Sequence, residues 1–158
     1  MDARPRVWLL TIRNYRPERS PPCPSPCPRR RALLNKPKAH ALVVTTNRDG
    51  SPHATLVWVE EHDGGLTFNT ATGRRKWFNM RRTPRILVSV QDPDAPRTYA
   101  VFEGSATLSE EGANDQINRL AKKYTGKEAY GGYNDRERRV SVRVDVTKIT
   151  GMGPWIAK

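Results

Sequence analysis

From Ala39 onward the chain alternates short β-branched runs with turn signals. Ala41–Thr46 (ALVVTT) is the first run. It ends at Asn47-Arg48-Asp49-Gly50, where Asp-Gly supplies the positive φ angles of a tight hairpin turn. In His53–Glu61, Ala54, Leu56 and Trp58 alternate with Thr55, Val57 and Val59. Both faces are expected to be partly buried, as in a barrel strand. Asp63-Gly64-Gly65 then turns into Leu66–Thr70, the third strand of a meander. Gly73–Arg82 (GRRKWFNMRR) reads as a short helix with Trp77, Met80 and Phe78 turned inward, stopped by Pro84. Arg85–Gln91 and Thr98–Leu108 are strands four and five, with Gly104 a bulge or close-packing point. Ser109 is placed as the cap of a helix whose apolar positions Ala113, Ile117, Leu120, Ala121 and Tyr124 follow helical spacing. Val140, Val142, Val144 and Val146 alternate with polar residues as a half-buried sixth strand. The pattern predicts a mostly β fold with two helices, its sheet antiparallel and closed into a six-stranded barrel.

The first 31 residues do not share this pattern. They hold eight arginines against Asp2 and Glu18, and seven of the 13 prolines. Such a leader buries too little apolar surface to offset its ordering entropy, so it is expected to be disordered or to mark a start set too far upstream. Residues 32–158 are then the folded domain. The net charge of +12 divides evenly: +6 in the leader, and +6 in the body from 20 Lys/Arg against 14 acids. A nucleic-acid role is therefore the weaker reading, because the body carries no recognition helix or aromatic platform motif. Cys23 and Cys27, stiffened by prolines and lacking a second ligand pair, read as free thiols, and no metal site is expected. Val7–Ile12 is too short for a secretory apolar region and no run approaches the about 20 residues of a membrane span, so a cytoplasmic protein is expected.

One segment carries candidate chemistry. Ala71–Arg85 contains Arg74, Arg75, Lys76, Arg81, Arg82 and Arg85 with no acid among them. The first three fall where a strand ends and a helix begins, and helix amides already favour an anion there. A guanidinium and an ammonium, with Thr70 and Thr72 nearby, would make a phosphate cradle. The same cations can equally be a solvated face, and the pattern alone does not choose. His40, His53 and His62 show no metal spacing. Asp92 and Asp94 read as turn formers. Trp155 packs onto the barrel or into a partner's pocket.

The succession DGSPHATLVWV, LTFNTATGRRKWFNMRRTPR, YAVFEGSATL and RRVSVRVDVTKITG resembles the FMN-binding split-barrel superfamily. Within it, the chain is similar to the coenzyme F-420-dependent flavin/deazaflavin oxidoreductases, also labelled pyridoxamine 5'-phosphate oxidase-like. The likeness runs from about Lys36 to Gly151 and implies a six-stranded antiparallel split β-barrel. It also implies that Arg74 and Lys76 grip the cofactor phosphate, with Asn79 in support. Thr55, Leu56 and Val57 would line the ring, and Asn69, Thr70 and Ala71 would contact ring and ribityl chain. The family resemblance further implies a homodimer with cofactor at the interface and a small-molecule substrate. Deazaflavin is favoured over FMN, because Arg75, Arg81 and Arg82 exceed what one phosphate needs and would suit a longer anionic tail. Two departures stand out. Trp77 and Phe78 occupy positions that are often polar, and the arginine-rich C-terminal substrate motif of true pyridoxamine phosphate oxidases is missing, which argues against vitamin B6 chemistry.

Overall fold

The computed structural model describes residues 28–156. The elements in chain order are α1 (Pro28–Leu34), β1 (His40–Thr46), β2 (Pro52–His62), β3 (Gly65–Ala71), α2 (Arg75–Arg82), β4 (Arg85–Gln91), β5 (Tyr99–Ser109), α3 (Ala113–Thr125) and β6 (Arg139–Met152). The six strands close into a barrel in the order β1-β2-β3-β6-β5-β4, and every neighbouring pair is antiparallel. The expected mostly β, six-stranded antiparallel split barrel is what the chain forms.

The turns follow their residues. Asp63 and Gly64 both hold positive φ, 49° and 73°, so a two-residue primed turn joins β2 to β3. Gly104 marks a register shift against β6, and a Cβ there would lie 2.3 Å from the Asp145 carbonyl oxygen. Inside the barrel Val43, Val59, Phe68, Val88, Val90, Phe102 and Val142 are fully buried. Trp155 joins this core, and its indole N–H donates to the Tyr99 carbonyl at 2.9 Å. That places Trp155 on its own barrel.

Three differences from the sequence expectation have physical causes. A third helix, α1, precedes the barrel, and Pro28–Arg31, assigned above to the leader, form its first turn. Its helicity comes from tertiary anchoring. Leu33 and Leu34 are buried in the core, and Arg31 pairs with Glu61 at 3.1 Å. The remainder of the leader, with Cys23 and Cys27, lies outside the described residues. Next, α3 begins after Gly112 rather than at Ser109. Ser109 is the last residue of β5, and its hydroxyl accepts the Glu111 N–H at 3.1 Å in a turn ahead of the helix. Finally, α2 turns Lys76, Asn79 and Met80 inward, while Phe78 is 54% exposed. Among the described residues no helix is long and apolar enough to cross a membrane.

Candidate functional site

The basic turn sits at the mouth of a cleft beside the barrel. Gly73 takes φ +80°, a conformation that strains residues with a Cβ, and turns the chain out of β3. Arg74 follows as the extended N-cap residue of α2, and its side chain is free of capping duty. Its guanidinium reaches instead to the loop before β6. There Nη2 donates to Glu137 Oε2 at 2.7 Å and Nε donates to the same oxygen at 3.2 Å. The Arg74 hydrogen bond holds the Glu137 carboxyl below its ordinary range.

Lys76, the second residue of α2, points into the protein and is only 8% exposed. Its ammonium makes no hydrogen bond or ion pair among the described residues. Burial pushes its pKa down, and the nearby Arg74 and Arg139 cations push it the same way. Glu137 offsets this only in part, and a withdrawn ammonium with no hydrogen-bonded partner is costly in a folded protein.

Arg139 is the residue that sequence reasoning missed. It opens β6 opposite Ala71, is 7% exposed, and donates from Nε to Asn69 Oδ1 at 2.7 Å. The Asn69 amide nitrogen donates in turn to the Ala113 carbonyl at 2.9 Å and to Gln116 at 3.0 Å. Asn69 thus orients Arg139 while tying β3 to α3. The guanidinium lies 5.0 Å over the Tyr130 ring, yet its Nη1 is buried with no partner. An orphaned buried donor beside an unpaired ammonium is the arrangement an incoming anion would complete.

The cleft has a volume of about 300 Å³. Asn69, Arg74, Lys76 and Arg139 form its polar end; Leu56, Val57, Ile117 and Leu120 supply apolar wall. Trp58 stacks on Tyr124 with ring centres 5.3 Å apart, and the Tyr130 ring stands edge-on to Trp58 at 6.0 Å. His40 also lines the cleft, its Nδ1 3.1 Å from the Lys38 carbonyl. These residues fit a ligand with a phosphate at one end and a flat ring system at the other.

Of the nine residues singled out in the sequence, Leu56, Val57, Asn69, Arg74 and Lys76 meet in the cleft. Thr55, Thr70, Ala71 and Asn79 do not line it. The Thr55 and Thr70 hydroxyls are buried without partners, and Ala71 is fully buried in β3. Asn79 donates to Thr45 Oγ1 and Asn47 Oδ1, both at 3.0 Å, and so clips α2 to β1. Thr72 accepts the Arg138 N–H at 3.1 Å. Asp92, with Lys36 at 2.6 Å and the Asp94 N–H at 3.0 Å, serves its turn away from the cleft.

A closed antiparallel barrel with a cationic, aromatic-walled cleft on its flank defines a small ligand-binding barrel of the flavin-binding split-barrel type. A family model described as pyridoxamine 5'-phosphate oxidase matches residues 28–153, and the chain belongs to that family. Solved structures agree. The chain is similar to an F420 reductase, with 26% identity over 75% of this chain and 94% of that one and a TM-score of 0.66. A conserved hypothetical protein from Mycobacterium tuberculosis shares the fold at 24% identity, over 85% of this chain and 88% of that one, with a TM-score of 0.63. General Stress Protein 26 from Bacillus anthracis does so at 16% identity, over 78% and 92%, with a TM-score of 0.58. No curated protein matches the chain in sequence.

Proposed function

We propose that this protein is an oxidoreductase that uses the deazaflavin coenzyme F-420 to reduce an electron-poor small molecule. The observation that carries this reading is the unpaired, buried Lys76 ammonium beside Arg74 and the orphaned Nη1 of Arg139. When bound, reduced deazaflavin supplies a hydride from C5 to an acceptor such as an enone, a quinone or a tetrapyrrole. The chain's own residues bind and orient. Lys76, Arg74 and Arg139 hold the phosphate; Leu56 and Val57 face the ring; Trp58 and Tyr130 stiffen the wall against which it lies. Arg75, Arg81 and Arg82 offer further positive charge to an anionic tail.

The working unit in this reading is a homodimer. On the outer barrel face Leu42 lies opposite Leu56, and Val44 lies between Ala54 and Leu87. Leu56 is 70% exposed there, an apolar surface that a second copy would cover. Sedimentation at micromolar concentration should give a dimer, and Leu56→Lys should give a monomer.

The test of the cofactor assignment is titration of the purified protein with deazaflavin and with FMN, read by fluorescence across a salt series. Deazaflavin should bind more tightly, with affinity falling as salt rises. Tight FMN binding with no deazaflavin binding would overturn the assignment in favour of an FMN-dependent enzyme of the same fold.

A further inference from the structure

We propose that Glu137 is a charge filter in the phosphate clamp, favouring a monoanionic phosphodiester over a dianionic phosphomonoester. The inference rests on the cofactor reading above and assigns the preference within it to one side chain. Glu137 is the carboxylate that meets the clamp. It takes two donors of Arg74, and it also acts electrostatically on Lys76 and Arg139. Three cations therefore share one internal anion before any ligand arrives.

The backbone keeps this carboxylate in place. Thr72 N–H donates to the Arg138 carbonyl at 2.9 Å, and Arg138 N–H donates back to Thr72 Oγ1 at 3.1 Å. The loop carrying Glu137 is thus zipped to the strand end that leads into Arg74. The backbone N–H of Glu137 donates to the Asn134 carbonyl at 3.4 Å, which closes the turn that carries it. A ligand anion that settles on Lys76 and Arg139 does so beside a carboxylate.

The two candidate cofactors differ in charge at that point. The terminal phosphate of FMN is a monoester with a second ionisation near pH 6, so it carries about −1.5 to −2 at pH 7. The linkage in deazaflavin coenzyme is a diester with one ionisation and one charge. Repulsion by Glu137 scales with ligand charge, so the monoester is disfavoured by the added charge, a factor on the order of ten at an effective dielectric between those of protein surface and water.

The experiment measures dissociation constants of wild type, Glu137→Gln and Glu137→Asp for FMN, deazaflavin coenzyme and phosphate-free riboflavin, at one salt concentration and at pH 8. In Glu137→Gln both phosphorylated cofactors should tighten, with FMN gaining about tenfold more than deazaflavin. Glu137→Asp, which keeps the charge, should retain the wild-type ratio, and riboflavin affinity should be the same in all three. Equal tightening of the two cofactors, weakening of FMN, or a matching change for riboflavin would overturn the filter. Failure of the filter and of the cofactor reading are distinguishable. If wild type binds deazaflavin through Arg74 and Lys76 but the FMN-to-deazaflavin ratio ignores Glu137→Gln, the filter alone falls. If wild type binds neither cofactor, both fall.

Discussion

Lys76 and Lys123 are both lysines withdrawn from solvent, and the chain treats them in opposite ways. Lys123, near the end of α3, donates to the carbonyls of Leu34 and Val59, the latter at 2.6 Å, and reaches the Tyr124 hydroxyl at 3.4 Å. It bolts the last turn of α1 to β2 through the end of α3. Lys76 has no such acceptor, and its closest electrostatic company is mostly cationic. Burial lowers both ammonium groups, Lys123 to about 8. The difference lies in satisfaction: a buried cation that donates to carbonyls is structural, and one that makes no hydrogen bond and has two cations and a single carboxylate, already held by Arg74, for company is poised for a ligand.

The comparison can be broken most forcefully at the clamp. Arg74→Ala with Lys76→Ala should weaken deazaflavin binding at least about a hundredfold, since each charge-assisted hydrogen bond contributes roughly 1.5–3 kcal/mol. Retained affinity in a fluorescence titration would remove the phosphate role from these residues. Lys123→Met should do the reverse. Leu34 loses its donor, so urea unfolding should show a loss of about 2 kcal/mol, with cofactor affinity within about twofold of wild type. A smaller effect separates the two lysines further. Lys76→Met replaces an unpaired buried charge by an apolar chain and should stabilise the cofactor-free protein by about 1 kcal/mol, whereas a loss of stability would mean that Lys76 has a structural partner.

The smallest effect is a pH dependence. The folded pKa of Lys123, about 8, lies below its ordinary 10.5, so its contribution to stability is complete above 10.5 and is lost as pH falls through 8. Tyr124 is raised from 10.0 to about 12, so its contribution is present below 10 and is lost as pH rises toward 12. The melting temperature should climb by about 3 °C between pH 8 and 10 and turn down above 10. In Lys123→Met the climb should be smaller, leaving only the part contributed by Lys76; an identical profile in both proteins would detach the effect from Lys123.

The barrel was legible because its signals are local. Asp63-Gly64 needs only its own backbone preference to turn, and the valines of β6 alternate over consecutive positions. Even so, β6 runs on to Met152, past the end of the valine alternation, because pairing with β5 carries it. The first turn of α1 holds one proline and three arginines, so no apolar period marks it; the burial of Leu33 and Leu34 makes it helical. The clamp was half legible for the same reason. Arg74 and Lys76 stand together at a strand-to-helix turn. Arg139, Tyr130 and Glu137 lie more than 50 residues away and arrive only because β3 pairs with β6, with Ala71 opposite Arg139. The strand register, had it been known, was the signal that could have found them.

The central claim is that Lys76 is a buried cation awaiting an anion while Lys123 is already satisfied. NMR titration of the lysine side-chain nitrogens, with and without deazaflavin coenzyme, tests it directly. In the free protein both lysines should titrate below the ordinary value. Adding the coenzyme should raise the Lys76 pKa as its ammonium gains a counter-anion, and should leave Lys123 near 8. A Lys76 pKa that ignores saturating coenzyme would contradict the account.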